Sequence, residues 1–386
     1  MTSISTAQLG NLVEILSGFP FESDHFGDEG DLPIVRIRDV VPGKSSTYYT
    51  GDYDSKYILI DGDVLIGMDG DFNRARWRGG KALLNQRVCK ISALPNKLDE
   101  GYLYHFLPAA LKSIWDDTPF VTVKHLSVKD IRAIDIPLPP IVEQRRIADI
   151  LDRADALRAK RRAALARLDE LTQAIFVETF GDPISNPKGW PTKNFGALLI
   201  DGPQNGLYKH SSDYGSGTPI LRIDAFYDGK VTDISLLKRV RVSEVEKQIY
   251  GLREADVVIN RVNSIEYLGK CALIPRLAEQ IVFESNMMRM KVDESVFVPR
   301  FAVQFLQTDF VRNQIACCAK RAVNQASINQ KDVCGFTMII PPVVIQQRFV
   351  AEVSAIEKMS ELHHSSLEMK GALFASLQDR AFRGAL

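Results

Sequence analysis

Five short segments of this chain occur twice, in the same order, when the sequence is slid along itself by roughly 200 residues, and a repeat of that length means two copies of one structural unit. Leu32-Pro-Ile-Val-Arg-Ile37 answers Thr218-Pro-Ile-Leu-Arg-Ile223, and Asp63-Val-Leu-Ile66 answers Asp256-Val-Val-Ile259. Asn85 to Ile91 answers Asn286 to Val292, and Lys129-Asp130-Ile131 answers Lys331-Asp332-Val333. Pro139-Pro140 with Gln144 and Arg146 answers Pro341-Pro342 with Gln346 and Arg348. At 386 residues the chain has room for two such units and more.

Each copy runs from a strand-rich region through a Pro-Pro step into a long helix. Short β-branched runs bounded by Gly, Asp and Asn (Ile34 to Val40, Val64 to Gly67, Val88 to Ile91, Ile220 to Ile223, Val257 to Ile259) predict strands. Tyr102 to Trp115 and Phe301 to Ile315 predict amphipathic helices. After Pro140, glycine and proline are absent until Gly181-Asp182-Pro183, which leaves a helix of about 60 Å at about 1.5 Å per residue. Its apolar positions step by three and four through Ile147, Ile150, Ala154, Leu157, Arg161, Ala164, Leu168, Leu171 and Ile175. Such a seam needs a partner helix. Arg348 to Phe382, with Val353, Ile356, Met359, Leu362, Leu367, Leu373 and Leu377, supplies one. The expected fold is α+β: two similar globular domains, residues 1–140 and 182–342, separated by antiparallel spacer helices at 141–181 and 343–386, a dumbbell with internal pseudo-twofold symmetry. Two unrelated helical linkers are the alternative.

Forty-eight basic and 48 acidic residues give a formal net charge of zero, so bulk attraction to phosphate cannot be how this chain works; any nucleic-acid role must rest on local patches. The absence of an apolar run long enough for a membrane span, and five cysteines without a C-x-x-C pair, point to a cytoplasmic, reducing setting without zinc. His363 and His364 are neighbours and diverge on a helix, and His25, His105, His125 and His210 have no adjacent ligand pattern, so no metal is expected. No phosphate loop, dinucleotide turn, H-E-x-x-H or G-x-S-x-G is present, and neither Pro-Pro pair follows the Asn or Asp that amino-methyltransferases place there. No enzyme activity and no bound cofactor are expected.

Polar and basic loops carry the remaining signal. Asp71 to Lys81 sets Arg74, Arg76, Arg78 and Lys81 around Trp77, the composition of a mobile basic loop that reaches guanine edges and phosphates, or of plain surface. At the matching place the second copy carries Asn260, Arg261 and Asn263, whose amides suit adenine edges. Before each Lys-Asp step lie Thr122-Val-Lys124-His125 and, after Lys320-Arg321, Asn324-Gln325 through Asn329. With Arg36, Lys44, Lys209 and Arg222, these are the candidate DNA contacts. A further run, Arg158, Lys160, Arg161, Arg162 and Arg167, is either a solvated helix face or a contact for phosphate or an acidic protein.

Three segments make the chain resemble the specificity (S) subunits of type I restriction-modification systems: Pro137-Leu-Pro-Pro-Ile-Val-Glu-Gln-Arg-Arg-Ile147, Phe180-Gly-Asp-Pro-Ile-Ser-Asn-Pro-Lys-Gly-Trp190 and Leu373-Phe-Ala-Ser-Leu-Gln-Asp-Arg-Ala-Phe-Arg-Gly-Ala-Leu386. The second Pro-Pro segment departs from the pattern, with Ile345 where Glu143 stands in the first. The resemblance implies two target-recognition domains, each reading one half of a split, asymmetric site in double-stranded DNA. It implies two methyltransferase (M) subunits that bind S-adenosylmethionine and methylate adenine, and restriction (R) subunits that use ATP and Mg2+. Chemistry would then belong to the partners and the address to this chain. A self-contained methyltransferase or nuclease and a protein-binding scaffold are the competing classes. The first is disfavoured by the missing motifs, and the second predicts no footprint on two separated DNA segments.

Overall fold

In each half of the chain the first strand pairs with the last, just before the Pro-Pro step. The computed structural model describes residues 5–118, 123–323 and 325–386. Thr6–Gln8 lies antiparallel to Asp135–Pro137, and Thr192–Asn194 to Thr337–Ile339. The prolines that follow have no N–H to extend the ladder, and a helix begins at once, Ile141–Phe180 in the first half and Val343–Phe382 in the second. We call these the first and second long helices.

The chain folds into two compact units, one of Met1–Ala164 with His363–Leu386 and the other of Leu165–Leu362. Each unit therefore holds one domain and half of each long helix, a different partition from two domains plus two free spacers. The reason lies in the cores. In the first unit Ile147 and Leu151 of the first long helix join Phe374 and Ala381 of the second in the core of Leu9, Ile66, Cys89, Tyr102 and Leu107. In the second unit Phe176 and Phe180 join Phe349 and Val353 in the core of Phe195, Ile259, Met288, Phe301 and Phe305. Within each unit, early turns of one helix thus meet late turns of the other, which makes the pairing antiparallel. The buried seam keeps Ile147 and Leu168 of the expected one but elsewhere sits one position on: Leu151, Leu165 and Phe176 are buried while Leu157 and Leu171 face water. Arg161 contacts His363 from its expected seam position, and Arg158 lies over the ring of Phe374, so an arginine stem covers a place a hydrophobic pattern does not count.

The domains repeat one another in the order of a shared four-strand core sheet. A four-stranded antiparallel sheet in the first unit has the order Val13–Ser17, Val88–Ala93, Val64–Gly67, Arg74–Arg76. In the second unit the order Leu199–Asn205, Met287–Val292, Val257–Asn260, Cys271–Leu273 recurs, extended by Gly229–Val231 and Phe226–Tyr227. The pairing corrects one sequence match. Ile91 lies opposite Val64 and Met290 opposite Val257, so Asn85 to Ile91 answers Glu284 to Met290, two residues earlier than the residue identities indicate. A slip of two preserves which side chains face the core, which is why the pattern alone allows it. The predicted helix Phe301 to Ile315 is two, Pro299–Leu306 and Asp309–Cys318, broken where the matching helix Glu100–Asp117 carries Pro108.

Two matched details hold each frame. Gly18 and Gly206 bring the chain against a neighbouring strand end so closely that a Cβ would lie 2.0 Å from the Asn85 carbonyl oxygen and 2.1 Å from that of Glu284. At the head of each long helix a buried glutamine bonds to the domain. Gln144 Nε2 donates to Pro139 O (2.8 Å) and its Oε1 accepts from the Asp99 amide (2.9 Å). Gln346 Nε2 donates to Pro341 O (2.7 Å) and Val296 O (3.0 Å), and its Oε1 accepts from the Val298 amide (2.8 Å). Leaving a buried donor and acceptor unpaired costs about 1–3 kcal/mol each. Gln144→Ala and Gln346→Ala are each expected to lower unfolding free energy by about 2–4 kcal/mol in urea titration, with exposed Gln173→Ala as the silent control.

Candidate nucleic-acid interface

The basic segment of the first domain is not a mobile loop. Arg74–Arg76 is a sheet strand, and Trp77 after it is fully buried, its Nε1 donating to Gly80 O (2.6 Å) across a glycine turn. Strand alternation turns Arg74 and Arg76 toward the helix Glu100–Asp117. Their guanidinium groups lie 3.5 and 4.3 Å from the Tyr104 ring centre, and Arg76 Nη1 bonds Asp152 Oδ1 (3.2 Å) on the first long helix. Burial lowers the pKa of Arg74, which marks how far it is removed from water. These two arginines are therefore packing groups rather than free base readers, a correction to the sequence reading. Arg78 and Lys81 stay exposed on the turn, as does Lys44.

Other first-domain candidates are also engaged. Arg36 is half-buried against Thr47 and Asp39 (3.6 Å), and Lys124 is buried with its ammonium 3.6 Å above the Trp115 ring and bonded to the Trp115 carbonyl. His125 is exposed and holds Asp69 Oδ1 at 2.5 Å. Thr122 lies outside the described residues.

The second domain presents a different surface. Lys320–Ala322 and Gln325–Ser327 form a hairpin that pairs with Val262–Asn263 into a three-stranded sheet. Lys320, Arg321 and Gln325 are exposed, and Val323 near the tip is 92% exposed. Among the described residues no carboxylate pairs with Lys320 or Arg321. Asn324 lies outside the described residues. A two-stranded ribbon of this width fits the major groove, where Arg can span a guanine edge, Gln an adenine edge, and Lys a phosphate.

Four second-domain candidates are placed elsewhere by the fold. Asn260 is fully buried in its strand, out of reach of a base edge. Asn329 accepts from the amides of Lys331 and Asp332 as a helix cap, the role Ser127 plays in the first domain. Lys209 pairs with Glu246 (2.8 Å) and Arg222 with Glu284 (3.5 Å). Arg261 donates to Ser285 O (3.2 Å) and Asn263 Oδ1 accepts from the Ser264 amide, both from half-exposed positions. Sequence reasoning passed over an exposed aromatic group here: Tyr227 and Tyr267 flank Lys270, whose ammonium lies 3.9 and 5.7 Å from their ring centres and donates to Ile223 O (2.7 Å). The only signal was the three-residue spacing of Tyr267 and Lys270.

Among the described residues no cluster of three or more His, Cys, Asp or Glu side chains could hold a metal ion, and no helix is long and apolar enough to cross a membrane.

Comparison with known proteins defines the class first. Residues 3–167 match the family described as the type I restriction modification DNA specificity domain. The likeness then extends along the whole chain. It is 28% identical to the type I restriction enzyme EcoBI specificity subunit of Escherichia coli, over 98% of this chain and 85% of that one. With the EcoKI specificity subunit of E. coli strain K12 it shares 25% identity over 92% and 82% of the two chains. The crystal structure of the type I restriction-modification S subunit from M. genitalium shares the fold, with a TM-score of 0.61 at 12% identity over 99% of this chain and 97% of that one. The chain is thus similar over nearly its whole length to type I specificity subunits, and over residues 3–167 to their DNA specificity domain.

One pH dependence follows from the packing of Arg76. His105 is 1% exposed and shares Asp152 Oδ1 with Arg76, at 2.8 Å from its Nε2. Burial lowers its pKa from the ordinary 6.5; Asp152 opposes the shift, and the positive charges of Arg74 and Arg76 add to it. The unfolded chain then takes up this proton at higher pH than the folded one, so the contribution is present above pH 6.5 and is lost as pH falls below it. The urea midpoint should drop between about pH 7 and about pH 5, and His105→Gln should flatten that part of the profile.

Proposed function

We infer that this chain reads a two-part, asymmetric site in double-stranded DNA, one half per domain, and carries two methyltransferase subunits to it. The observation that carries this reading is a shared frame with unlike surfaces. The two domains agree in sheet order, helix caps and glutamine anchors. Their outward chemistry differs, with Lys320, Arg321 and Gln325 on a hairpin in one and Arg78 and Lys81 on a glycine turn in the other. Two readers of like build and unlike contacts select two different half-sites, and joining them in one chain raises affinity only when both can engage. S-adenosylmethionine would be held by the methyltransferase subunits, and ATP with Mg2+ by restriction subunits, so the complex would act on DNA in the cytoplasm.

A repeated surface supports two copies of one partner. Val142 and Val344 occupy the same place after each Pro-Pro step, and both are 75% exposed. An exposed valine is unremarkable alone, but the same one at both heads of the long helices fits a contact made twice. Val142→Asp and Val344→Asp are each expected to leave one methyltransferase copy per chain, and the double variant none, as read by the mass of the purified complex.

The decisive experiment is base-modification sequencing of a host genome in cells expressing this chain with a partner methyltransferase, compared with the partner alone. A bipartite motif with a fixed gap, dependent on this chain, is the expected result. Absence of any new motif, with the partner active beside another specificity chain, would reject the reading. On the motif so found, replacing Lys320 and Arg321 together by Ala should reduce the slope of log affinity against log salt by about 2, through loss of two phosphate contacts.

A further inference from the structure

Each domain is fastened to its long helix by one shared carboxylate, a turn apart in the two units. In the first unit one carboxylate oxygen, Asp152 Oδ1, accepts from the sheet through Arg76 (3.2 Å) and lies 2.8 Å from His105 Nε2 on the domain helix. The second long helix closes the same spot, with Phe374 edge-on to the His105 ring (centroids 6.0 Å) and Gln378 Nε2 donating to His105 O (3.0 Å). A single side chain on the first long helix thus ties a strand and a helix of the domain together.

The second unit carries a latch of the same kind one helical turn further along its long helix. Sheet register sets Leu273 opposite Val257 as it sets Arg76 opposite Val64. The glutamine anchors equate Asp99 with Val298, so Gln304 stands for His105, and Ser354 follows Gln346 at the distance at which Asp152 follows Gln144. The shared carboxylate there is Glu357, which accepts from Arg300 and from Gln304 Nε2 (3.4 Å) on the domain helix and lies 3.2 Å from Lys230 Nζ on the sheet. Aromatic packing is common to both junctions, with Phe180 on Phe301 (4.9 Å) in the second and Phe382 on Tyr102 (5.1 Å) in the first. A carboxylate shared by donors from a strand and a helix fixes an orientation and fails when one donor is lost.

We propose that Asp152 is a positioning residue, a polar latch that sets the angle of the first domain on the helix pair and so the half-site spacing the chain accepts. The proposal rests on the two-part reading of DNA for its consequence, but the latch itself can be measured without DNA. Arg76 acts through Asp152 and touches no base. The second domain has its own latch in Glu357, so loss of Asp152 loosens the first domain alone.

The test uses the full chain in complex with its methyltransferase partner, as Asp152→Asn, which keeps the shape and removes the charge, and Asp152→Ala, which removes both. Amide hydrogen exchange is expected to accelerate about tenfold in residues 100–117 and 74–76 of Asp152→Ala, less in Asp152→Asn, with exchange in residues 299–318 unchanged. Base-modification sequencing of Asp152→Asn is expected to show methylation at the wild-type gap falling at least about threefold, while sites with a gap one base pair longer or shorter gain methylation. Merely reduced stability would lower methylation at every gap alike, and that uniform loss overturns the proposal. Unchanged exchange in the first domain overturns it too. If the wild type yields no bipartite motif, the DNA reading fails instead, and the latch stands or falls on the exchange data.

Discussion

Everything in this chain hangs from a buried primary amide at the head of each long helix. Gln144 and Gln346 each answer one backbone N–H and at least one carbonyl where a domain loop meets the start of a helix. A Pro-Pro step ends the ladder of the strand before it, so the direction of the helix relative to the domain is open until something inside its first turns is bonded back. The amide does this because it is both donor and acceptor on one short, rigid fork. It is uncharged, so it can be buried without the desolvation penalty of an ion. Once the head is held, the rest of each helix can be a simple amphipathic rod.

The repeat is a repeat of backbone, and the side chains have moved apart within it. Lys90 pairs with Asp63 at 2.8 Å, and Arg289 stands 3.6 Å from Asp256 at the same place in the other sheet, an exchange of cation that leaves the design alone. The Ser127 cap has become Asn329, again the same function in another residue. Around Asp152, by contrast, the shared carboxylate has moved by one turn: Ser354 stands at its place in the second unit, and Glu357 accepts there from Arg300 and Gln304 beside Lys230. The frame keeps what sets geometry and varies the residues that supply it, and the variation has reached this inner joint.

How much of this was legible depended on whether the signal was local. The long helices were visible because helix-breaking residues are absent over their whole length, and the duplication because Pro-Pro and Lys-Asp punctuate both copies. The seam drifted by one position over part of its length because the stem of Arg158 does the work of an apolar residue over Phe374, and hydrophobic spacing cannot see that. The strand Asn85 to Ile91 was aligned two residues late because a shift of two keeps every side chain on its face. Arg74, Arg76 and Trp77 looked like a nucleic-acid loop because a cation over an aromatic ring has the same composition in a protein core as on a DNA-binding surface; only the position of Tyr104, thirty residues on, separates the two. Asn260 misled for the same reason, since an amide at the end of an apolar strand carries no mark of which way it points.

Gly18 and Gly206 give this molecule a natural place to be cut. Each lies at the end of a sheet strand, with no room for even a methyl group between it and the neighbouring chain, and the next residue, Phe19 or Leu207, bridges to that same neighbour, Asn85 or Glu284. Module exchange between such proteins would have to replace a segment bounded on one side by the glycine and on the other by the strand end it touches. A library built that way varies what lies between Phe19 and Leu84, or between Leu207 and Phe283, while every member inherits the same tight crossing.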